Sequence, residues 1–490
     1  MQGELRCACP PSYVDNILKV VNGMKPKKHL GFNGLRTMLS SCFNKIPEHR
    51  QGNKITYSTH DALMSGFACM HFQDPSLLQF QKRLEKKHHK SNLQTLFNIK
   101  SIPESTQLRT ITDGVDSDYF CPFFDEYTHY LQRGKHLVQY QLLDGLYYIP
   151  MDATDYFSSY ACSCDRCLRT KSKKKPAHDL SVEPTMDELE ELYSGEESSG
   201  VRYSHKALQI VIMHPDMKQV IPLMPEEIRN TDGTSKQDCE MNAGKRLIPK
   251  LRKAHPQLGI ILGGDDLFSR QPIIEDTLAA RMHYLFVAKP ESHTWLMDWL
   301  SAYPQLNTHE TIDKKKPNVR YVYQWMNKVP LHGGEKAIQV NYLDMKAYSI
   351  GKNGKEKLSY HNSWVTDIEI TQNNAEILAR GGRCRWKLEN ECFNTLKNQG
   401  YAIDHSHGHG DKNLCFNFYL LTLIAFAFHQ VYELTDKVYQ ACRLHFGSKK
   451  HLWENVRANL RTFIFVSWDY LLSFTLDPEK YITGELPAPS

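Results

Sequence analysis

The chain has no long hydrophobic run and no strong excess of charge of one sign. Residues Met1–Pro11 contain no apolar segment of the kind found in an export signal. The most apolar stretch, Phe416–Phe428, is too short to cross a bilayer and predicts a buried helix. No internal repeat is visible. The formal net charge is only +5. These absences predict a soluble, cytoplasmic protein with no membrane partner.

Cysteine is present, but in a pattern that does not indicate a disulfide framework. The chain has 13 cysteines and no export signal, which predicts thiols or metal ligands in a reducing compartment. Cys164 and Cys167 have the C-x-x-C spacing of a zinc knuckle, and Cys162 precedes them. A structural zinc site needs further ligands, for which His205 and His178 are the candidates. Thiols without a metal remain the alternative.

A histidine-rich segment, Asp404–Asp411, alternates histidine with glycine and serine. Such a segment can bind a metal, contact a phosphate or simply form a turn, and we favour the turn.

The length of 490 residues predicts two or three domains. Hydrophobic periodicity is helical near both ends of the chain and alternating in the middle. Residues 171–200 run from basic to acidic, are poor in large apolar side chains and predict a flexible insertion. The predicted regions are a helical N-terminal region (1–138), the first part of an α/β core (139–309), a β-rich insertion (310–372), the completion of the core with a glutamate-bearing helix (373–435) and a helical C-terminal region (436–490).

The middle of the chain predicts a mixed α/β sheet. Gln139–Asp152 reads as one strand or two, and Lys206–His214 is followed by a hairpin partner at Gln219–Leu223. A helix over Asp238–Ala254 then leads to a strand at Gly259–Leu262. An antiparallel start followed by crossover helices is typical of a mixed sheet.

Three acidic residues far apart in the sequence carry the functional prediction. Asp152 and Asp265 end apparent strands, and Glu389 lies on the same predicted helix face as Trp386 and Phe393. That face should be buried, and buried carboxylates need a partner such as a divalent metal ion. Asp265 and Asp266 are adjacent, so only one of them can point inward on a strand, and Glu391 faces away from Glu389 by helix geometry.

The motifs around these acids resemble those of DDE transposases of bacterial insertion sequences, in particular the insertion-sequence-four group. Asp152-Ala-Thr154 resembles the first-aspartate motif. Gly264-Asp265 with Phe268 resembles the second, which favours Asp265 over Asp266 as the second acid. Arg385-Trp-Lys-Leu-Glu389 resembles the signature around the third acid. The tyrosine and lysine positions of that signature are Gly382 and Leu396, and Lys397 follows one residue later. Because Lys397 follows Glu391 by six residues, Glu391 stays open as an alternative third acid.

The resemblance implies an RNase H-like catalytic core in a transposase that binds terminal inverted repeats, cleaves DNA and joins 3′-hydroxyl ends to target DNA. It implies Mg²⁺ or Mn²⁺ held by Asp152, Asp265 and Glu389, because two metal ions can activate the attacking oxygen and stabilise the leaving one. The expected partners are double-stranded DNA and a second copy of the chain at synapsis, at the nucleoid. The alternatives are a catalytically inactive, transposase-derived DNA-binding protein and a related metal-dependent nuclease.

The DNA contacts are expected in the helical N-terminal region (1–138), at four side chains and at several basic clusters. Arg385 can contact a phosphate or pair with Glu389, and Lys397 is a second candidate for the phosphate. Trp325 and Trp364 can stack on a flipped base or pack the β-rich insertion. The basic clusters, which suit a phosphate backbone, are at Lys25–His29, Lys82–Lys90, Arg169–Lys175 and Lys314–Lys316.

Overall fold

The computed structural model describes residues 29–48, 50, 52, 55–84, 91–171, 200–230, 237–303, 306–313, 315–351, 354–405 and 407–481. Most of the predicted insertion at 171–200, His178 and most residues of the basic clusters lie outside these ranges. The chain forms two compact units. The helical unit comprises Met1–Gly134, Cys162–Cys164 and Asn394–Ser490, and the sheet unit comprises Lys135–Ala161 and Asp165–Phe393.

The helices in the described residues are numbered here in chain order. They are α1 Phe32–Phe43, α2 Thr59–His71, α3 Leu77–Leu84, α4 Asn92–Phe97, α5 Ser105–Asp113, α6 Cys121–Arg133, α7 Glu240–Ala254, α8 Gln271–Ala279, α9 Thr294–Ser301, α10 Ala375–Arg383, α11 Asn394–Asn398, α12 Leu414–Thr435, α13 Lys437–Phe446, α14 Lys449–Thr462 and α15 Trp468–Leu476.

Local sequence explains where several of these helices begin. The Ser58 side chain accepts a hydrogen bond from the Asp61 amide at the start of α2, and Asp436 does the same for α13. Such caps satisfy amides that have no partner within the helix. Proline occupies the first turn of α6 and α8, where its missing N–H has no cost.

The core of the helical unit forms around α12. This helix packs against α2 and α5, and it includes the predicted buried stretch Phe416–Phe428. By length and composition it is apolar enough to cross a membrane, with a mean hydropathy of 1.6, but 94% of its apolar window is buried. The prediction of a buried helix is therefore confirmed. His71 of α2 lies among the rings of this core and contacts the Tyr432 hydroxyl at 3.0 Å.

The described strands of the sheet unit form one mixed sheet. They are β1 Gln141–Leu143, β2 Leu146–Ser159, β3 Leu168–Lys171, β4 Val201–Ile212, β5 Ile221–Pro222, β6 Glu226–Ile228, β7 Gly259–Gly264, β8 His283–Val287, β9 Asn307–Ile312, β10 Val319–Pro330, β11 Gln339–Ile350 and β12 Glu356–Thr366. The order across the sheet is β3-β4-β2-β7-β8-β12-β11-β10-β9, with β1 beside β2 and with β5 and β6 beside β4.

Strand directions confirm the predicted mixed α/β class. β4 pairs antiparallel with β2, and the predicted hairpin partner of β4 is present as β5. β7 runs parallel to β2, and β8 runs parallel to β7. The β-rich insertion continues the same sheet, because β12 pairs antiparallel with β8. The central strands β2 and β7 therefore have neighbours on both sides.

Candidate acidic site

Asp152 and Asp265 occupy equivalent positions on neighbouring parallel strands. The pairing of β2 with β7 ends at Pro150 opposite Gly263, and each aspartate lies two residues beyond that pair. Adjacent strands are roughly 4.8 Å apart. The two aspartates therefore lie side by side, just beyond the same end of the paired region. The sequence placed Asp152 at the end of a strand. In the structure β2 runs on to Ser159, and it is only the pairing with β7 that ends before Asp152.

Two glycines let the chain reach Asp265 between large rings. A Cβ at Gly263 would overlap the Tyr148 ring, and one at Gly264 would lie 2.9 Å from the Phe268 ring. Both rings are almost fully buried. The Gly-Gly pair that ends β7 therefore has a steric reason, because any side chain there would displace a ring of the core.

The two adjacent acids of this loop have different roles. Asp266 accepts hydrogen bonds from the Lys289 amide at 2.6 Å and the Ser292 hydroxyl at 2.5 Å. Asp265 caps the short 3₁₀ turn that follows it, by accepting one bond from the Leu267 amide at 3.0 Å. Asp266 thus holds the loop, while Asp265 keeps carboxylate capacity for a ligand. This difference favours Asp265, as the sequence motif did.

Arg385 pairs with Asp152 and not with Glu389 in the described part of the chain. Its Nη1 donates to Asp152 Oδ2 at 2.6 Å, and both side chains are a little more than one-quarter exposed. Burial raises the pKa of Asp152, Arg385 acts to lower it, and the Asp265 carboxylate raises it again. Asp265 raises the pKa of Asp152, as expected for two carboxylates that share a site.

A further acid near this pair was missed from the sequence. Glu240 is the first residue of α7, and burial raises the pKa of its carboxyl group. The carboxylates of Asp265 and Asp152 raise that pKa further, whereas Lys206 lowers it. No local motif marks Glu240, since a glutamate in the first turn of a helix is common for reasons of helix polarity.

The predicted inward face at Glu389 is not formed. Glu389 is exposed and Trp386 is 48% exposed, although Phe393 is buried as expected. The cause is a π-helix over Leu388–Phe393, preceded by a turn after α10. Its wider turn breaks the regular helix spacing on which the prediction relied. The π-helix packs against β2, the strand that carries Asp152.

The departures from the resembled signature have steric explanations. A Cβ at Gly382 would overlap the Trp364 indole, so no tyrosine fits at that position. Leu396 is fully buried on α11. Lys397, on the same helix of the helical unit, is partly exposed.

The predicted stacking residues are buried, and another tryptophan is exposed. Trp325 is 6% exposed and Trp364 is 0% exposed, which favours the packing alternative for both. Trp386 lies next to Arg385 in the chain and presents its ring to solvent. Lys387 is buried, and its Nζ donates to the carbonyl oxygens of His214, Pro215 and Met217. Lys387 therefore holds the loop after β4 in place.

The zinc-ligand candidates are also placed by the structure. Cys167 Sγ lies 3.3 Å from His205 Nε2 in the sheet unit. In the helical unit, Cys164 and His409 have donor atoms within 4.8 Å of each other. His409 belongs to the histidine-rich segment Asp404–Asp411. The interpretation of this segment as a simple turn gave His409 no role as a ligand.

The donor chemistry of the acidic site suits a hard cation such as Mg²⁺, which prefers carboxylate oxygens. Two carboxylates, Asp152 and Asp265, are in register, and Glu240 is within electrostatic reach. Among the described residues, Asp152, Asp265 and Glu389 do not converge into a compact cluster of donor atoms. In comparisons with other proteins, no family model matches the chain, and no curated protein matches it.

Proposed function

We propose that this protein is a Mg²⁺- or Mn²⁺-dependent DNA transposase of the DDE type. The observation that carries the proposal is the register of Asp152 and Asp265, each two residues beyond the last paired residues of parallel strands. Ligand sites of α/β sheets form at the carboxyl ends of such strands. Two adjacent carboxylates at that edge suit metal-assisted phosphoryl transfer.

The sheet supports an RNase H-like core. An antiparallel segment (β5 and β6 beside β4, then β2) is followed by two strands parallel to β2, namely β7 and β8. This is the order expected of such a core, with the first acid on the central strand. The strands β9–β12 lie between the second acid and the third along the chain, where the resembled family carries its insertion.

In the proposed reaction, Asp152 and Asp265 would hold the metal ions. The metal ions would activate the attacking oxygen and stabilise the leaving one. Glu389 supplies the third carboxylate from the π-helix that packs against β2. Glu240 is the alternative third carboxylate, because its pKa responds to both aspartates. Arg385 donates to Asp152, and in the proposed reaction its guanidinium would be the group that contacts the phosphate.

The DNA itself would be bound as double-stranded terminal repeats and target, by a homodimer that brings two ends together. The basic residues at the described positions Lys82, Arg169 and Lys315 suit this role, because phosphate contacts dominate DNA affinity.

The test is cleavage of a linear duplex that carries the ends of the encoding element, with Mg²⁺ and the full chain. We expect end-specific cuts by the wild type, and a loss of at least 100-fold in Asp152→Ala and Asp265→Ala. Glu389→Gln and Glu240→Gln separate the two candidates for the third carboxylate. Glu391→Gln is the matched control, since it changes the next acid on the same π-helix.

The other candidate functions predict different outcomes. Cuts at any sequence, without joining to a target plasmid, would indicate a metal-dependent nuclease. Specific binding of the ends without cuts, unaffected by Asp152→Ala, would indicate an inactive DNA-binding derivative and would contradict the proposal.

A further inference from the structure

The sheet unit carries a basic surface beside the acidic site, on the antiparallel pair of strands β3 and β4. The pair is called here the β3–β4 ribbon, and it comprises Leu168–Lys171 and Val201–Lys206. All of its formally charged side chains are basic, namely Arg169, Lys171, Arg202 and Lys206. The first two are exposed, and the last two are about one-third exposed at 33% and 35%. The ribbon therefore presents only positive charge to solvent.

The backbone of the ribbon is anchored by side chains of the same unit. Gln237 accepts a hydrogen bond from the Arg169 amide and donates to the Arg169 carbonyl oxygen at 2.8 Å. Asn230 donates to the carbonyl oxygen of Cys167, next to the start of β3, at 2.9 Å. Basic side chains on an edge strand can serve only to prevent self-association. That explanation does not cover Arg202 and Lys206, because β4 lies between β3 and β2 and is no edge.

Two of these cations share a single carboxylate. Arg202 Nη2 donates to Asp155 Oδ2 at 2.9 Å, and Lys206 Nζ lies 3.3 Å from Asp155 Oδ1. In the described ranges, neither cation has a second carboxylate within ion-pair distance. One carboxylate cannot neutralise two cations, and a guanidinium and an ammonium group together offer more N–H donors than Asp155 accepts. The group thus keeps positive charge and donors for an anionic ligand.

The register of β2 and β4 relates the ribbon to the acidic pair. Asp152 lies opposite Gln209, and Asp155 lies opposite Lys206. At roughly 3.4 Å per residue, Lys206 is about 10 Å and Arg202 about 24 Å from the level of Asp152 along β4. Lys206 also lowers the pKa of Glu240, which Asp265 and Asp152 raise, so its charge is felt at the acidic site. The basic surface therefore starts at that site and leads away from it.

We propose that the β3–β4 ribbon binds the phosphate backbone of duplex DNA beside the bond that is cleaved, through Lys206 and Arg202. Successive base pairs of B-DNA are about 3.4 Å apart, so these contacts fall roughly three to seven base pairs from that bond. Such contacts fix the register of a duplex on a protein without reading its sequence. The inference rests on the proposed function for the position of the cut, whereas the binding itself requires no cleavage.

The experiment measures DNA binding by the full chain without divalent metal, over a range of salt concentrations. Each phosphate contact contributes about −0.9 to the slope of log K against log salt for a duplex. The double variant Arg202→Gln with Lys206→Gln should therefore show a slope shallower by about 1.8 and weaker binding to every sequence. The matched control is Lys250→Gln with Arg320→Gln, which removes one lysine and one arginine that pair with glutamates elsewhere in the sheet unit. Its slope should equal that of the wild type.

Asp155→Asn separates DNA binding from a structural role of the same ion pairs. The substitution removes a negative charge and releases both cations, so the affinity for DNA should rise. Ion pairs that only join β2 to β4 would instead give lower thermal stability without a gain in affinity. Far-ultraviolet circular dichroism verifies that each variant is folded.

Three results would overturn the inference: an unchanged salt slope in the double variant, weaker DNA binding by folded Asp155→Asn, or unchanged DNA binding with loss of binding to phosphatidylserine vesicles. The last result would assign the ribbon to a lipid surface. A shallower slope in the double variant, together with a wild type that cuts no DNA, would support the ribbon as a DNA contact and contradict the proposed transposase activity alone.

Discussion

Replacing Arg385 by glutamine should strengthen metal binding while weakening DNA cleavage. In the proposed site, the Arg385 guanidinium and a metal ion would compete for the same Asp152 oxygen, which Arg385 contacts at 2.6 Å. Both side chains are a little more than one-quarter exposed, so solvent screens the pair and its contribution is about 1 kcal/mol. Removing that competitor corresponds to roughly fivefold tighter binding, since about 1.4 kcal/mol is a factor of ten.

The assay is calorimetric titration of the folded chain with Mn²⁺ at pH 8. Arg385 also lowers the pKa of Asp152, so its removal raises that pKa and lets protons compete better with the metal. The gain in Mn²⁺ affinity should therefore shrink as the pH falls. Arg380→Gln is the matched control, because Arg380 also pairs with an aspartate at 2.6 Å, namely Asp216, away from the acidic pair. Unchanged or weaker Mn²⁺ binding in Arg385→Gln at pH 8 would refute the competition.

Three other predictions concern burial. Burial lowers the pKa of His71 to about 3, so the side chain stays neutral in the folded protein. In the unfolded chain, His71 takes up a proton as the pH falls below about 6.5. The folded state therefore loses roughly 2 kcal/mol of stability between pH 7 and pH 5. Chemical denaturation of His71→Leu should show a correspondingly shallower loss between pH 7 and pH 5, and an identical pH profile would contradict this. Gly263→Ala should destabilise the sheet unit by about 2 kcal/mol through overlap with the Tyr148 ring, whereas Gly114→Ala, whose nearest neighbour is 3.6 Å from the added Cβ, should change stability little. Trp364→Ala should cost about 3–5 kcal/mol of stability, whereas the exposed Trp386→Ala should leave thermal unfolding nearly unchanged and weaken DNA binding; the reverse pattern would exclude Trp386 as a DNA contact.

Local patterns sufficed for the mixed sheet and for most of its elements. Helical periodicity near both ends of the chain agrees with helices such as α2 and α12, and the β4–β5 hairpin follows from two apolar runs around a turn. The preference for Asp265 over Asp266 also came from a local motif, and the different hydrogen bonds of the two residues agree with it.

Contacts between distant segments could not be predicted in this way. An ion pair with Glu389, one helical turn away, was one of the two alternatives for Arg385, but its partner is Asp152, 233 residues earlier in the chain. The exposure of Glu389 depends on a π-helix, which periodicity of 3.6 residues does not anticipate. His409 and Glu240 could not be selected as site residues from the sequence, because their neighbouring side chains come from distant segments of the chain.

The pairing of β12 with β8 has a consequence for the modularity of the protein. Because Trp364 of β12 pairs with Val287, the last core strand does not end the sheet. Excising the insertion would leave β8 with a row of unsatisfied amides and carbonyl groups, the kind of edge on which chains self-associate. The insertion is thus no detachable appendage, and a shortened version of this protein would need a new cover for β8 to remain monomeric.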